Sequence, residues 1–132
     1  MHTKSRKKVI VAGLATVALM LLALAWYQST PLFACEDRET DTLPSADGRY
    51  VAKILSRNCG ATTGLTTILM LQSRSESAAV SDSNRVLALD GACEMSLTWS
   101  ADTLVVRHAA SCDAFGRKSH WRDVHLTYEP AR

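Results

Sequence analysis

Residues 9–27 read VIVAGLATVALMLLALAWY, nineteen positions without a charge. As a helix rising 1.5 Å per residue this run is about 28 Å long, which matches a hydrocarbon layer of roughly 30 Å. Its flanks set an orientation. Lys4, Arg6, Lys7 and Lys8 precede it, Trp26 and Tyr27 close it, and Glu36, Asp37, Glu39 and Asp41 follow. The positive-inside rule then predicts a cytoplasmic tail at 1–8 and a single-pass helix at 9–27 in inner-membrane lipid. A linker at 28–44 and an exported domain at 45–132 on the periplasmic side complete the expected organisation.

Three processing fates are open for the apolar segment. It stays as a signal anchor, or it is cleaved before Trp26 after the A-x-A triplet Ala23-Leu24-Ala25. The third is lipidation at Cys35, which ends the lipobox-like run Leu32-Phe33-Ala34-Cys35. Gln28, Ser29, Thr30 and Pro31 separate that run from the apolar stretch.

The charge balance narrows the partners. Of fifteen Lys and Arg, four lie in the basic tail, and all thirteen Asp and Glu begin at Glu36, which leaves the exported part slightly acidic. Nucleic-acid binding needs clustered cations on the folded part, so that class is set aside. The partners expected are membrane lipid and another envelope protein.

Cys35, Cys59, Cys93 and Cys112 all follow the apolar run. An even count in a small exported domain predicts two disulfides rather than zinc, for which no C-x-x-C spacing is present. Of three possible pairings the preferred one is Cys35 with Cys59 and Cys93 with Cys112.

The strands support that choice. Residues 49–57 follow the Asp47-Gly48 turn and alternate, with Tyr50, Ala52 and Ile54 on one face and Lys53 and Arg57 on the other. Residues 65–72 form a second strand, and the Ser-rich stretch 73–84 reads as a mobile loop. A short strand at 85–89 ends at Asp90-Gly91. Cys93, Met95, Leu97 and Trp99 then alternate with Glu94, Ser96 and Thr98. A turn at 100–102 starts the return strand at 103–108, placing Trp99 opposite Thr103 and Cys93 near Ala109. Cys112 follows within bridging reach. The last strand, 121–129, sets Val124, Leu126 and Tyr128 against His125 and Thr127. The expected fold class is mostly β: a small antiparallel sheet or sandwich of five or six strands behind one N-terminal transmembrane helix.

Two stretches carry a family resemblance. Ser45-Ala46-Asp47-Gly48-Arg49-Tyr50-Val51-Ala52 and Arg57-Asn58-Cys59-Gly60-Ala61-Thr62-Thr63-Gly64 resemble the S-P-D-G-K-Y-x-A and R-[DN]-C-G-A-T-T patterns of small uncharacterised bacterial envelope proteins and lipoproteins. The hairpin around Met95 to Val106 and the closing 124–128 strand are similar too. The resemblance implies an exported, mostly-β domain and no assigned activity. This chain departs from the pattern at Ala46, at the displaced Cys35 and in its second cysteine pair.

The candidate binding residues are those of the 58–64 connection: Asn58, Gly60, Thr62, Thr63 and Gly64. Glycines allow close backbone approach and the threonines offer hydroxyls. The plainer reading is a disulfide-pinned link between two strands. His108, Ser111 and Asp113 suggest a triad only on paper, since no nucleophile elbow accompanies them. His120 and His125 lack a recurring ligand spacing, and no cofactor or metal is expected. The functional expectation is a membrane-tethered interaction domain without catalysis, serving as an immunity, inhibitor or assembly-accessory protein. A small envelope hydrolase using His108 and Asp113, or a passive envelope-structure protein, is the alternative.

Overall fold

The computed structural model of the chain describes residues 2–29, 35–60 and 63–131. The chain divides into two compact units, Met1–Ala34 and Cys35–Arg132. The first is one helix, α1 (His2–Ser29), longer at both ends than the expected 9–27 and taking in most of the basic tail. Its stretch Val11–Gln28 is long and apolar enough to cross a membrane. Val11, Leu14, Met20, Leu24 and Trp26 are all more than half exposed. A helix apolar on every side has no single face to offer a core, whereas lipid accepts all of them. Within this helix the Thr16 hydroxyl donates back to the Ala12 and Gly13 carbonyls at 2.9 Å.

The second unit is a two-sheet sandwich. Its strands are β1 (Glu36–Pro44), β2 (Tyr50–Asn58), β3 (Leu65–Ser73), β4 (Arg85–Asp90), β5 (Met95–Ser100), β6 (Thr103–His108), β7 (Ala114–Phe115), β8 (His120–Trp121) and β9 (Val124–Pro130). One sheet runs β1-β2-β3-β4-β7, the other β5-β6-β9-β8. The mostly-β class holds, with nine described strands in place of five or six. Strand pairing is antiparallel except between β6 and β9, which run parallel.

The core lies between the sheets. Ala52, Ile54, Leu69, Leu71, Leu87 and Leu89 from one meet Leu104, Val106, Val124 and Leu126 from the other. In β9 the burial alternates as the sequence predicts, with Val124 and Leu126 inside and His125 and Thr127 outside. In β3 it does not alternate: Thr67 to Gln72 are all buried. The outer face of the first sheet carries its own apolar cluster, Leu55, Ile68, Met70 and Ala88, with Val80 packed on it. That second cluster explains why the 65–72 run lacks a polar period.

Three expectations are corrected. The linker assigned to 28–44 is a strand from Glu36 onward, so the folded unit begins at Cys35 rather than residue 45. This strand is exposed along nearly its whole length, so hydrophobic periodicity gives it no signature. Pairing with β2 holds it instead, with Arg57 on Asp37 at 2.6 Å and Lys53 on Glu39 at 2.8 Å. The hairpin register is off by one: Ser100 pairs Thr103 and Trp99 pairs Leu104. Ala101 takes a φ of 53°, which makes a two-residue loop where three residues were expected. The Ser-rich stretch is a largely exposed loop between β3 and β4, as expected, with Asn84 buried in it. Asn84 Nδ2 donates to Ala79 O, its Oδ1 accepts the Ser81 N–H, and its carbonyl accepts the Leu71 N–H. The last strand starts at Val124, because Arg122-Asp123 is a tight turn with Arg122 at φ 52°.

Both disulfides join the expected partners, Cys35 with Cys59 and Cys93 with Cys112. The first staples the start of β1 to the end of β2. The second lies where the chain passes from the first sheet to the second. There Thr67 Oγ1 donates to Gly91 O and accepts the Cys93 N–H, both at 2.9 Å. Gly91, at φ 85°, is the position in that corner that needs glycine's freedom.

Candidate functional site

The sequence-predicted loop sits at the end of the β2–β3 hairpin. Asn58 Oδ1 accepts the Gly60 N–H at 3.0 Å, and Thr63 N–H donates to Gly60 O at 3.3 Å. Gly60 has φ 105° while Gly64 is not in the left-handed region. Gly60, Thr63 and Gly64 are exposed, and Thr62 lies outside the described residues. The loop is thus an exposed Asx-type turn pinned by Cys59.

The other candidates make local contacts. His108 Nδ1 lies 3.0 Å from the Ala109 carbonyl, and the Asp113 carbonyl accepts the Asp90 N–H. His120 and His125 face each other across β8 and β9, exposed, with His120 Nδ1 3.3 Å from Ser119 Oγ. Among the described residues no three His, Cys, Asp or Glu side chains form a metal-binding group.

The perturbed groups cluster at a structural joint. Asp123 accepts the Tyr50 hydroxyl and Arg49 Nη1 at 2.8 Å, while Asp47 accepts Ser45 Oγ and Arg49 Nε, each at 2.6 Å. The Tyr50 hydroxyl and then Arg49 hold Asp123 below the usual carboxylate range. The Ser45 hydroxyl and then Arg49 hold Asp47 well below it. Tyr50 in turn is raised by Asp123. Its ring meets Trp121 edge-on at 5.5 Å, so this network locks the β1–β2 turn to the β8–β9 turn.

One feature escapes any reading by motif. The sandwich has two flanks, and they are finished differently. On one, the segment carrying β7 and β8 crosses from sheet to sheet. Lys118 N–H donates to Val86 O, Leu126 N–H to Ser119 O, and the Tyr128 hydroxyl to Lys118 O at 2.6 Å. The other flank presents β1 and β5, the two long edge strands. Trp99 Nε1 donates to Leu43 O at 3.2 Å and joins them at one end. Beyond it lies a cleft of about 580 Å³, lined among others by Asp41, Ile54, Leu55, Glu94, Met95 and Arg107.

The register states what the β5 edge offers. Ser100 and Thr103 flank the two-residue loop and exchange hydrogen bonds, as do Thr98 with Val105 and Ser96 with Arg107. The backbone groups of Trp99, Leu97 and Met95 therefore point to the free edge. No hydrogen bond to them from another described segment is present. The sequence shows an alternating strand here, but not that it lies at an edge.

Compared with protein-family models, curated proteins and solved structures, the chain matches none.

Proposed function

We propose that this chain is a membrane-tethered protein-interaction domain of the bacterial envelope. The N-terminus is cytoplasmic, α1 is retained in the inner membrane, and the sandwich lies in the periplasm. One observation carries the reading: the sandwich leaves a six-residue edge strand, β5, without a charge, proline or bulge beside an open cleft. Exposed edges of that kind are templates for another chain, and proteins ordinarily blunt them. The apolar helix and the two disulfides suit a tethered domain in an oxidising compartment. The likeness of the 45–52 and 57–64 stretches to small envelope proteins and lipoproteins points the same way. Immunity, inhibition and assembly are the roles such a domain fills.

The test is chemical cross-linking in cells that carry the full chain with a C-terminal affinity tag, followed by recovery from the membrane fraction. The expected result is one dominant protein partner in near-equal amount. Recovery of the chain alone, or only as a self-cross-linked dimer, would overturn the reading. Intact mass of the recovered chain separates a retained helix from cleavage before Trp26 or lipidation at Cys35.

A further inference from the structure

The interaction reading leaves open what binds and where, and this inference rests on it. We infer that the β5 edge and its cleft take an extended, cationic segment of a partner protein, added to the sheet as a further strand.

Three observations combine. The first is the set of outward backbone groups on Met95, Leu97 and Trp99, two residues apart, which is the spacing an added strand uses. The second is the asymmetry of the neighbouring edges. Strand β1 carries Glu36, Asp37, Arg38, Glu39 and Asp41, a register break between Glu39 and Asp41, and Pro44 at its end. These are the devices that prevent edge pairing, and β5 has none of them. An incoming strand is therefore directed to β5, with β1 as the far wall of the cleft.

The third is charge. Among the described residues, Asp41 and Glu94 line the cleft without a cationic partner; Asp41 Oδ1 accepts the Thr42 N–H at 2.8 Å. The cation on the same cleft, Arg107, is held by Glu129 at 2.8 Å. Elsewhere on this flank the carboxylates of Asp37 and Glu39 are already matched by Arg57 and Lys53. Among the described residues the uncompensated charge in the cleft is negative, while Ile54 and Met95 give it an apolar lining. A segment alternating apolar residues with Lys or Arg meets both demands. Its apolar side chains enter the cleft and its cations reach Asp41 and Glu94. A second copy of this chain offering its own β5 is a poorer match, because Met95–Ser100 carries no cation.

The test places a photoreactive p-benzoylphenylalanine in the full chain in cells, at Ser96, at Thr127 on the outer face of the same sheet, or at Thr63 in the 58–64 loop. All three positions are exposed. Ser96 is expected to give a protein adduct and Thr127 and Thr63 none. Peptide mapping of the adduct should return a segment with alternating apolar residues and at least one Lys or Arg. Asp41→Asn with Glu94→Gln should lower the Ser96 adduct by roughly twofold to fivefold, as losing about one exposed ion pair would. Both positions are exposed, and the side-chain oxygen kept by Asp41→Asn still accepts the Thr42 N–H, so the fold is retained. A synthetic copy of the mapped segment should also lose binding to the full chain when N-methylated on the residues facing β5, and keep it when methylated on the others. Adducts from Thr63 or Thr127 but not Ser96 would overturn this surface and leave the interaction reading standing. An acidic mapped segment, indifference to the double substitution, or tolerance of both methylation registers would overturn the cationic-strand mode. No adduct at any position would overturn both readings.

Discussion

The two flanks of this sandwich solve the same problem in opposite ways. Each must finish a pair of sheets whose outermost strands have unspent backbone groups. On the β4–β9 flank the chain itself crosses, and Tyr128 stitches the crossing by donating to Lys118 O and Val86 O. On the β1–β5 flank the Trp99–Leu43 hydrogen bond is the only one that joins the two edges among the described residues, and a cleft lies beyond it. A domain of this size has little stability to spare. A flank left open therefore reads as a retained feature, and the charged β1 shows that edge protection was applied selectively.

The largest expected effect comes from the bridges that hold the ends of the two edge strands. Cys93→Ser with Cys112→Ser removes a link over 19 residues next to β5, and Cys35→Ser with Cys59→Ser one over 24 at the start of β1. Each pair should cost about 3 kcal/mol in urea unfolding of the full chain. A loss under about 1 kcal/mol would mean that the strands hold without their staples.

Next comes a direct comparison of the flanks. Tyr128→Phe removes a hydroxyl bonded to two carbonyls on the sealed side and should cost about 1.5 kcal/mol. Trp99→Phe removes one N–H from a carbonyl at an open edge, where water replaces it, and should cost about 0.5 kcal/mol. Equal losses would refute the contrast. Burial pushes Tyr128 up to about 12, so its stabilising share is complete below the ordinary tyrosine value of about 10 and declines as pH rises beyond it. Tyr128→Phe should flatten that alkaline limb.

Acid probes β1. Hydrogen bonds from Arg57 hold Asp37 low, and those from Lys53 and then Thr42 hold Glu39 low. Both folded-state values lie below those of the unfolded chain, which therefore binds protons first as pH falls. Their contribution is present above about pH 5 and is lost below about pH 4, together less than about 1 kcal/mol at these partly exposed sites. Arg57→Gln should remove the larger part of that acid dependence. The smallest effect on stability is expected from Thr98→Lys, within about 0.5 kcal/mol because Thr98 is exposed on β5. The same change should abolish the photo-adduct at Ser96, since one lysine is enough to give β5 the defence that β1 has.

Much of the fold was legible where side chains report burial. Strand β9 and the inner residues of β2 and β5 announce themselves by alternation, and β3 by an apolar run with β-branching. The cysteine pairing followed from strand order even with the hairpin register wrong by one, because Cys112 lies past the strand in either register. The 58–64 loop stands out in the sequence by its glycines and threonines, and the structure gives Gly60 and Asn58 a turn to make. What went unread has a common cause. Strand β1 is wet on nearly every residue, and β7 and β8 are two residues each, so neither period nor length can mark them. Ala101 and Arg122 take positive φ without being glycine. For Arg122 the tertiary setting is visible: its guanidinium lies over Trp121 and bonds Ser73 Oγ.

By itself, the sequence determined an apolar N-terminal helix, a β domain beyond it, and an even set of cysteines in that domain. Those follow from composition and local period, which act over a few residues. The tertiary structure alone decided which strands lie at the edges, that β6 and β9 run parallel, and that one flank closes while the other opens beside Asp41 and Glu94. Edge and centre differ in what lies beside a strand, and that neighbour is set by hydrogen bonding between segments far apart in the chain.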